Sequence, residues 1–354
     1  MSAQPAAREP AEVKRADAEA LLRVTDLRAY LDTEEGETRA VDGVSLAVWP
    51  GETLGLVGES GSGKSLTALA IVGLLPRPRG RIAGGSIRLR GEELLRASRS
   101  RMREVRGGEI GMVFQEPMTS LNPVLRIGDQ VGETIREHHG TRGDALDRAV
   151  IELLERVGIP DPERRRRAYP HELSGGMRQR VMIAMAISCR PALLIADEPT
   201  TALDVTIQKQ ILELLSSLQR ETGMALLLIT HDLGVVGEVA DRVVVMYAGQ
   251  IVERGPVSGL FDRPLHPYTE GLLAAVPDPD VRRLPLPVIP GGVPHPARWP
   301  SGCRFHPRCP HAWPRCAAEP PPMREARRTA RCWLVEEPDR RLPVPRVPGG
   351  VRAR

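Results

Sequence analysis

Four short, unbroken apolar runs set the layout of the chain: Thr53–Val57, Gly111–Phe114, Leu193–Ala196 and Ala225–Thr230. Runs of this length bounded by turn residues predict strands buried on both faces, the habit of a parallel sheet covered by helices. Beside them lie patterns with helical spacing, Leu66 to Leu75 and Asp144 to Val157, the second stopped by Gly158-Ile159-Pro160. Upstream, residues 22–57 read as β-rich, with the chain turning at Glu34-Glu35-Gly36. Strands alternating with helices predict an α/β fold.

The chemistry sits just after each apolar run. Thr53–Val57 leads into Gly58-Glu59-Ser60-Gly61-Ser62-Gly63-Lys64-Ser65, a complete G-x-x-x-x-G-K-[ST] between a strand and a helical pattern, the context such a loop requires. Glycines let the backbone curl so that successive N–H groups point inward, and the following helix adds the positive end of its dipole. Lys64 is expected to reach the β- and γ-phosphates of a nucleotide, and Ser65 to offer Mg²⁺ a hydroxyl. Asp197 at its strand end is placed to hold the same ion, and Glu198 to orient or polarise the attacking water. Alone, Asp197-Glu198-Pro199 would read as an acidic strand-to-turn junction; the phosphate loop upstream changes that reading. Gln115 and His231 repeat the pattern of a polar residue after a strand, and parallel strands would bring them to one edge with Lys64 and Asp197.

A second candidate phosphate surface is Leu173-Ser174-Gly175-Gly176-Met177, followed by Arg178-Gln179-Arg180 and opening a helix shortly before the acidic strand end. Two phosphate surfaces on one domain imply a dimer.

Together these residues resemble the ATP-binding cassette (ABC) ATPases, and among them the ATP-binding subunits of the oligopeptide and dipeptide importers. The likeness runs from about Leu21 to Trp333. It implies an α/β P-loop ABC-type nucleotide-binding domain at 21–262, with a mixed sheet core, an antiparallel β part and a helical signature subdomain at about 118–188. A C-terminal extension rich in proline and cysteine follows at 263–335. The resemblance implies ATP binding by Tyr30, Gly58, Ser60, Gly61, Gly63, Lys64, Ser65 and Thr67, and Mg²⁺ at Ser65, Gln115 and Asp197. It assigns catalysis to Glu198, Gln115 and His231. Ser174, Gly175, Gly176 and Met177 would contact the ATP of a partner subunit, and Asp204, in Thr201-Ala202-Leu203-Asp204, would communicate across the dimer. Tyr30 takes the adenine-stacking position; its plain alternative is a tyrosine packed on a strand.

Three features resemble the peptide-importer branch in particular: Met177, where the wider superfamily more often has glutamine; the segment from Phe114 to Pro123, expected to face the membrane subunits; and His266-Pro267-Tyr268-Thr269-Glu270-Gly271-Leu272-Leu273, opening the extension. The implied partners are a second, related ABC ATPase, two transmembrane permeases and an extracytoplasmic solute-binding protein, with the chain on the cytoplasmic face of the membrane. Branch members that import nickel or glycosides leave the cargo open. The other class, a soluble ABC ATPase of nucleic-acid metabolism, usually has coiled-coil insertions or tandem cassettes; this chain has one cassette and no sustained heptads.

Composition shifts after residue 262: 20 of the 33 prolines lie between Pro264 and Pro348, which argues against long helices or a broad sheet there. Such a segment needs a staple. Four of the five cysteines, Cys303, Cys309, Cys316 and Cys332, lie in it with five, six and fifteen residues between them, while Cys189 sits in a helical pattern and reads as core. Clustered thiols in a cytosolic chain point to a metal more than to disulfides. The close C-x-x-C knuckles of a zinc ribbon are missing, so a Cys₄ [4Fe–4S] cluster fits better than Zn²⁺. The resemblance supports that choice, since members of this branch can carry such a cluster; zinc and unligated structural cysteines stand as the alternatives.

Charge adds little: a net +4 against 49 basic and 45 acidic residues argues weakly for nucleic acid, and none is expected as a partner. Arg164–Arg167 reads as a solvated face. Residues 1–20 lack the apolar core of a secretory signal and are expected to be flexible, as is the tail 336–354. No window approaches the roughly 20 apolar residues of a membrane helix, so membrane attachment would come through partners.

Overall fold

The computed structural model describes residues 19–116, 120–201, 203–276, 287–324 and 328–341. The expectations for residues 1–18 and 342–354, and for Pro117–Thr119 and Ala202, lie outside them.

The β-rich start folds as an antiparallel sheet. β1 (Leu22–Thr33) and β2 (Gly36–Val48) pair across the turn at Glu34-Glu35, and β4 (Gly80–Leu89) and β5 (Glu92–Glu93) extend the sheet in the order β2-β1-β4-β5. The second sheet takes the apolar runs. It is ordered β11 (Thr329–Ala330), β10 (Gln250–Pro256), β9 (Arg242–Tyr247), β3 (Thr53–Val57), β8 (Ala225–Thr230), β7 (Leu193–Asp197), β6 (Ile110–Val113), parallel from β9 to β6 and antiparallel at the β10 and β11 edge.

Strands β3, β7 and β8 are buried at every position, which is why their sequences read as continuous rather than alternating. The alternation is still present, but it divides two cores. Leu193, Ile195, Leu227 and Ile229 face a cluster shared with the antiparallel sheet and helix α1 (Lys64–Ile71). Leu194, Ala196, Leu226 and Leu228 face a second cluster. That cluster is shared with α2 (Ile127–His139), α3 (Gly143–Arg156), α4 (Gly175–Ile187) and α5 (Val205–Thr222). Each fully buried aliphatic side chain here contributes roughly 1.5–3 kcal/mol, so the central strands are anchored from both sides.

Helix α3 matches the expected Asp144–Val157 pattern within a residue at each end. Helix α1 is shorter than the Leu66–Leu75 pattern: it stops at Ile71, and Gly73 follows in a left-handed conformation (φ +66°), so Leu75 packs on the core from beyond the turn while Leu74 is exposed. Cys189 is buried as expected, its thiol 3.6 Å from the Thr134 carbonyl, and burial pushes its pKa up. In the basic run, Arg164 and Arg167 are exposed while Arg166 pairs with Asp147 at 2.9 Å.

Beyond Asp262 the described elements are short: α6 (Pro267–Ala274), β11 and single turns. This part packs as a third cluster on β9, with the rings of Tyr247, Tyr268 and Phe305 in mutual contact at 4.6–5.4 Å between centroids. Among the described residues no helix is long and apolar enough to cross a membrane.

Candidate functional site

The register of the parallel strands levels their C-terminal ends. Val57 lies opposite Thr230, Ile229 opposite Asp197, and Ala196 opposite Val113. The residues that follow, Gly58, His231, Glu198 and Gln115, are therefore delivered to one edge of the sheet.

They converge on a single carboxylate. Glu198 Oε2 accepts hydrogen bonds from Gln115 Nε2 at 3.2 Å and Thr201 Oγ1 at 2.9 Å. Its Oε1 lies 3.4 Å from His231 Nδ1 and 4.0 Å from Lys64 Nζ. The backbone of Glu198 is left-handed, φ +45°, a costly conformation for a residue with a side chain, and its N–H is held by the Ile229 carbonyl at 2.9 Å. That turn aims the side chain across the edge. Thr201, which the resemblance includes only as part of the segment leading to Asp204, holds the carboxylate from the following turn; its position three residues after Glu198 is the one signal for that contact.

Lys64 is buried, and its ammonium donates to the carbonyls of Gly58 at 2.8 Å and Glu59 at 3.1 Å, closing the loop on itself. Burial lowers its pKa, against the pull of Glu198, Asp197 and Glu59. Ser65 Oγ donates to Asp197 Oδ1 at 3.1 Å, and burial raises the Asp197 carboxyl above the ordinary range. Gly63 is required where it stands: φ is +102°, and a Cβ would lie 2.3 Å from the Ala40 carbonyl oxygen. Thr67 is spent on the loop's frame, its hydroxyl bonding the Gly63 carbonyl at 2.9 Å, whereas Ser60 and Gly61 form the exposed tip. Asp197, Ser65, Gln115 and Glu198 together offer oxygen ligands suited to a hard divalent cation.

Tyr30 is half-buried on β1, its hydroxyl on Asp42 Oδ1 at 3.3 Å and its ring centroid 5.8 Å and 5.5 Å from the Arg39 and Arg81 guanidinium carbons. Burial and the neighbouring Asp42 raise its pKa.

Ser174–Met177 belongs to the other core. Ser174 caps α4, its Oγ accepting from the Met177 N–H at 3.3 Å, and Asp204 caps α5 by accepting from the Ile207 N–H at 3.0 Å. The two helix starts touch, since a Cβ on Gly176 would lie 2.8 Å from Ile207 Cγ2. Ser174 and Gly175 are exposed.

Cys303, Cys309, Cys316 and Cys332 line one small enclosed cavity with the aromatic rings of Phe305, Trp313 and Trp333. Burial pushes the thiols of Cys309 and Cys332 up to about 12 and raises that of Cys303. Among the described residues no three His, Cys, Asp or Glu side chains are grouped as one metal ion would require.

Comparison with known proteins gives the family. Residues 41–201 match the ABC transporter family model, and residues 252–316 match the C-terminal region of oligopeptide/dipeptide transporters. A protein of Brucella abortus (strain 2308), assigned by name to peptide import as an ATP-binding protein, is 56% identical over 303 residues, covering 86% of this chain and 91% of that protein. A Brucella ovis protein named likewise is 57% identical over 315 residues, covering 86% and 93%. The chain belongs to the ATP-binding subunits of the oligopeptide/dipeptide branch of ABC transporters. This ABC ATPase is also similar to a dimeric ATP-binding cassette solved in a post-hydrolysis state with ADP and Pi, at 26% identity and a TM-score of 0.60, over 67% of this chain and 98% of that one. It is similar too to cbiO1 of Clostridium perfringens, part of the transporter complex cbiONQ, at 28% identity and a TM-score of 0.59, over 70% and 92%.

Proposed function

We propose that this ABC ATPase powers peptide import, binding Mg·ATP at the sheet edge and hydrolysing it with Glu198 as the residue that polarises water. The observation that carries the reading is the convergence of Lys64, Gln115, Thr201 and His231 on the Glu198 carboxylate. Lys64 and the loop N–H groups neutralise the β- and γ-phosphates, Ser65, Asp197 and Gln115 hold Mg²⁺, and Tyr30 stacks on adenine. Positioning and charge stabilisation supply most of such a reaction, so a hub with four polar groups on one carboxylate suits it.

In this reading Ser174–Met177, on a separate core and with Ser174 and Gly175 exposed, serve the ATP of a second cassette. Closing the pair moves α2, α3 and α4 relative to the loop, and release reopens it. The domain limits 21–262 and 263–335 follow that division of labour. Exposed Phe114, Val124 and Leu125 give the face between β6 and α2 an apolar surface suited to a membrane-embedded permease; in this reading the subunit works at the cytoplasmic face of the membrane.

The extension suits a [4Fe–4S] cluster by its donor set, since four thiols line one cavity with an aromatic lining and that is the number such a cluster takes; among the described residues no three are grouped as a single metal ion would require. When bound it would supply a covalent staple, and Cys303, Cys309, Cys316 and Cys332 would hold it as thiolates. Iron and sulfide analysis of anaerobically purified protein, with equimolar zinc as the contrary result, tests that part.

For the main reading, the chain is co-expressed with its permeases, and ATPase is assayed with peptides and a binding protein. Stimulation by peptide is expected; a complex that hydrolyses ATP but ignores peptides would move the cargo to another solute.

A further inference from the structure

The phosphate loop carries an acid in its second position, and a carboxylate there repels the polyanion the loop is built to hold. Glu59 is matched by an arginine from the far end of the chain. Arg308, in the turn between Cys303 and Cys309, forks onto it, Nη1 donating to Oε2 at 2.7 Å and Nη2 to Oε1 at 3.0 Å. The arginine side chain is 6% exposed and the glutamate 28%, so bulk water screens the pair only in part.

The guanidinium is fixed in place by its remaining donors. Nε bonds the Pro290 carbonyl at 2.8 Å, Nη2 the Gly291 carbonyl at 3.2 Å, and Nη1 the Tyr247 hydroxyl at 3.4 Å. The Glu59 N–H is taken by the Tyr268 hydroxyl at 2.8 Å, a second tie from the extension to the same residue. The turn also reaches the other side of the candidate ATP site: Arg304 pairs with Asp42, the acceptor of the Tyr30 hydroxyl, and donates to the Ala248 carbonyl at 2.6 Å. Gly302 lets the turn fold this tightly, with φ +64° and a would-be Cβ 2.3 Å from the Cys316 carbonyl oxygen.

We infer that the C-terminal extension completes the nucleotide site, with Arg308 as a positioning residue that neutralises Glu59 and thereby sets the affinity of the phosphate loop for ATP. The inference rests on the reading of Gly58–Ser65 as that site. A merely structural arginine would be missed whether or not Glu59 is charged; a neutralising one is needed only while Glu59 is an acid.

Mg·ATP titration of the full chain separates these. Arg308→Ala is expected to weaken binding roughly tenfold, the range of a buried charge pair, and Arg308→Lys to recover only part because it cannot fork. Glu59→Gln, which leaves Arg308 in place, is expected to tighten binding about threefold. Glu59→Gln combined with Arg308→Ala should return near wild type. Arg308→Ala within twofold of wild type, a double variant as weak as Arg308→Ala, or weaker binding by Glu59→Gln would each overturn the inference. Lys64→Ala run alongside keeps the two readings apart. If it binds ATP like wild type, the loop assignment itself fails; if it loses ATP while Arg308→Ala does not, the loop stands and the role of Arg308 falls.

Discussion

The sheet edge and the C-terminal extension meet at the same loop and are built by opposite means. At the edge, position comes from backbone ladders: β3, β7 and β8 are buried throughout, and their register alone levels Gly58, Glu198 and His231. In the extension, where α6 is only eight residues long, position comes from single side chains. Trp299 Nε1 bonds the Arg39 carbonyl at 3.1 Å, Trp333 Nε1 the Glu319 carbonyl at 3.2 Å, and buried Glu253 accepts from the N–H groups of Leu265 and His266 at 2.8 and 2.9 Å. A ladder spreads its hold over many bonds, so losing one side chain leaves the frame; a set of pins fails where any one is drawn.

The sharpest test of the edge is chemical. Glu198→Gln in the assembled transporter should slow hydrolysis by about 10³ while nucleotide binding persists, because only the charge that polarises water is lost. Turnover at the normal rate would take Glu198 out of that role. The contrast in construction is tested next by paired truncations. Phe305→Ala removes the ring shared by Tyr247 and Tyr268 and should cost about 3 kcal/mol, with loss of hydrogen-exchange protection confined to the extension and β10. Leu227→Ala, a similar loss in the centre of β8, should instead lower protection everywhere. Equal, global loss in both would show that the two regions unfold as one.

Acid should find the weaker of the two. His266 is 1% exposed and its Nδ1 accepts from the Tyr268 N–H at 3.0 Å; burial first, then Arg331 and Arg341, push its pKa down to about 3. The folded chain keeps this ring neutral while the unfolded chain protonates it near 6.5. Its stabilising contribution is therefore whole above that pH and is lost below it, by at most about 1.4 kcal/mol per pH unit. Thermal melts between pH 7 and 5 should show the extension softening first, and His266→Asn should flatten the slope.

How much of this could be read from the chain alone follows the same divide. The strands were legible because a buried strand needs a run of apolar residues, and the loop because glycines, lysine and serine must stand at fixed spacing. Glu198 was legible as an acid after a strand, but its left-handed backbone and its hydrogen bond from Thr201 were not, since neither leaves a periodic trace. Helix α1 was overread because Leu74 and Leu75 kept the helical spacing after Gly73 had already turned the chain. The pins were the least legible. Arg304 and Arg308 are two among 49 basic residues, and only the folded chain tells them from the exposed Arg164 and Arg167.

Glu59 and Arg308 stand 249 positions apart. A ribosome making this protein lays down the phosphate loop long before its counter-charge. Until then the Glu59 carboxylate of that loop lacks the guanidinium that pairs with it in the folded chain. If Arg308 sets the loop's affinity, a copy broken off before it would keep Lys64, Glu198 and His231 and still hold ATP less tightly.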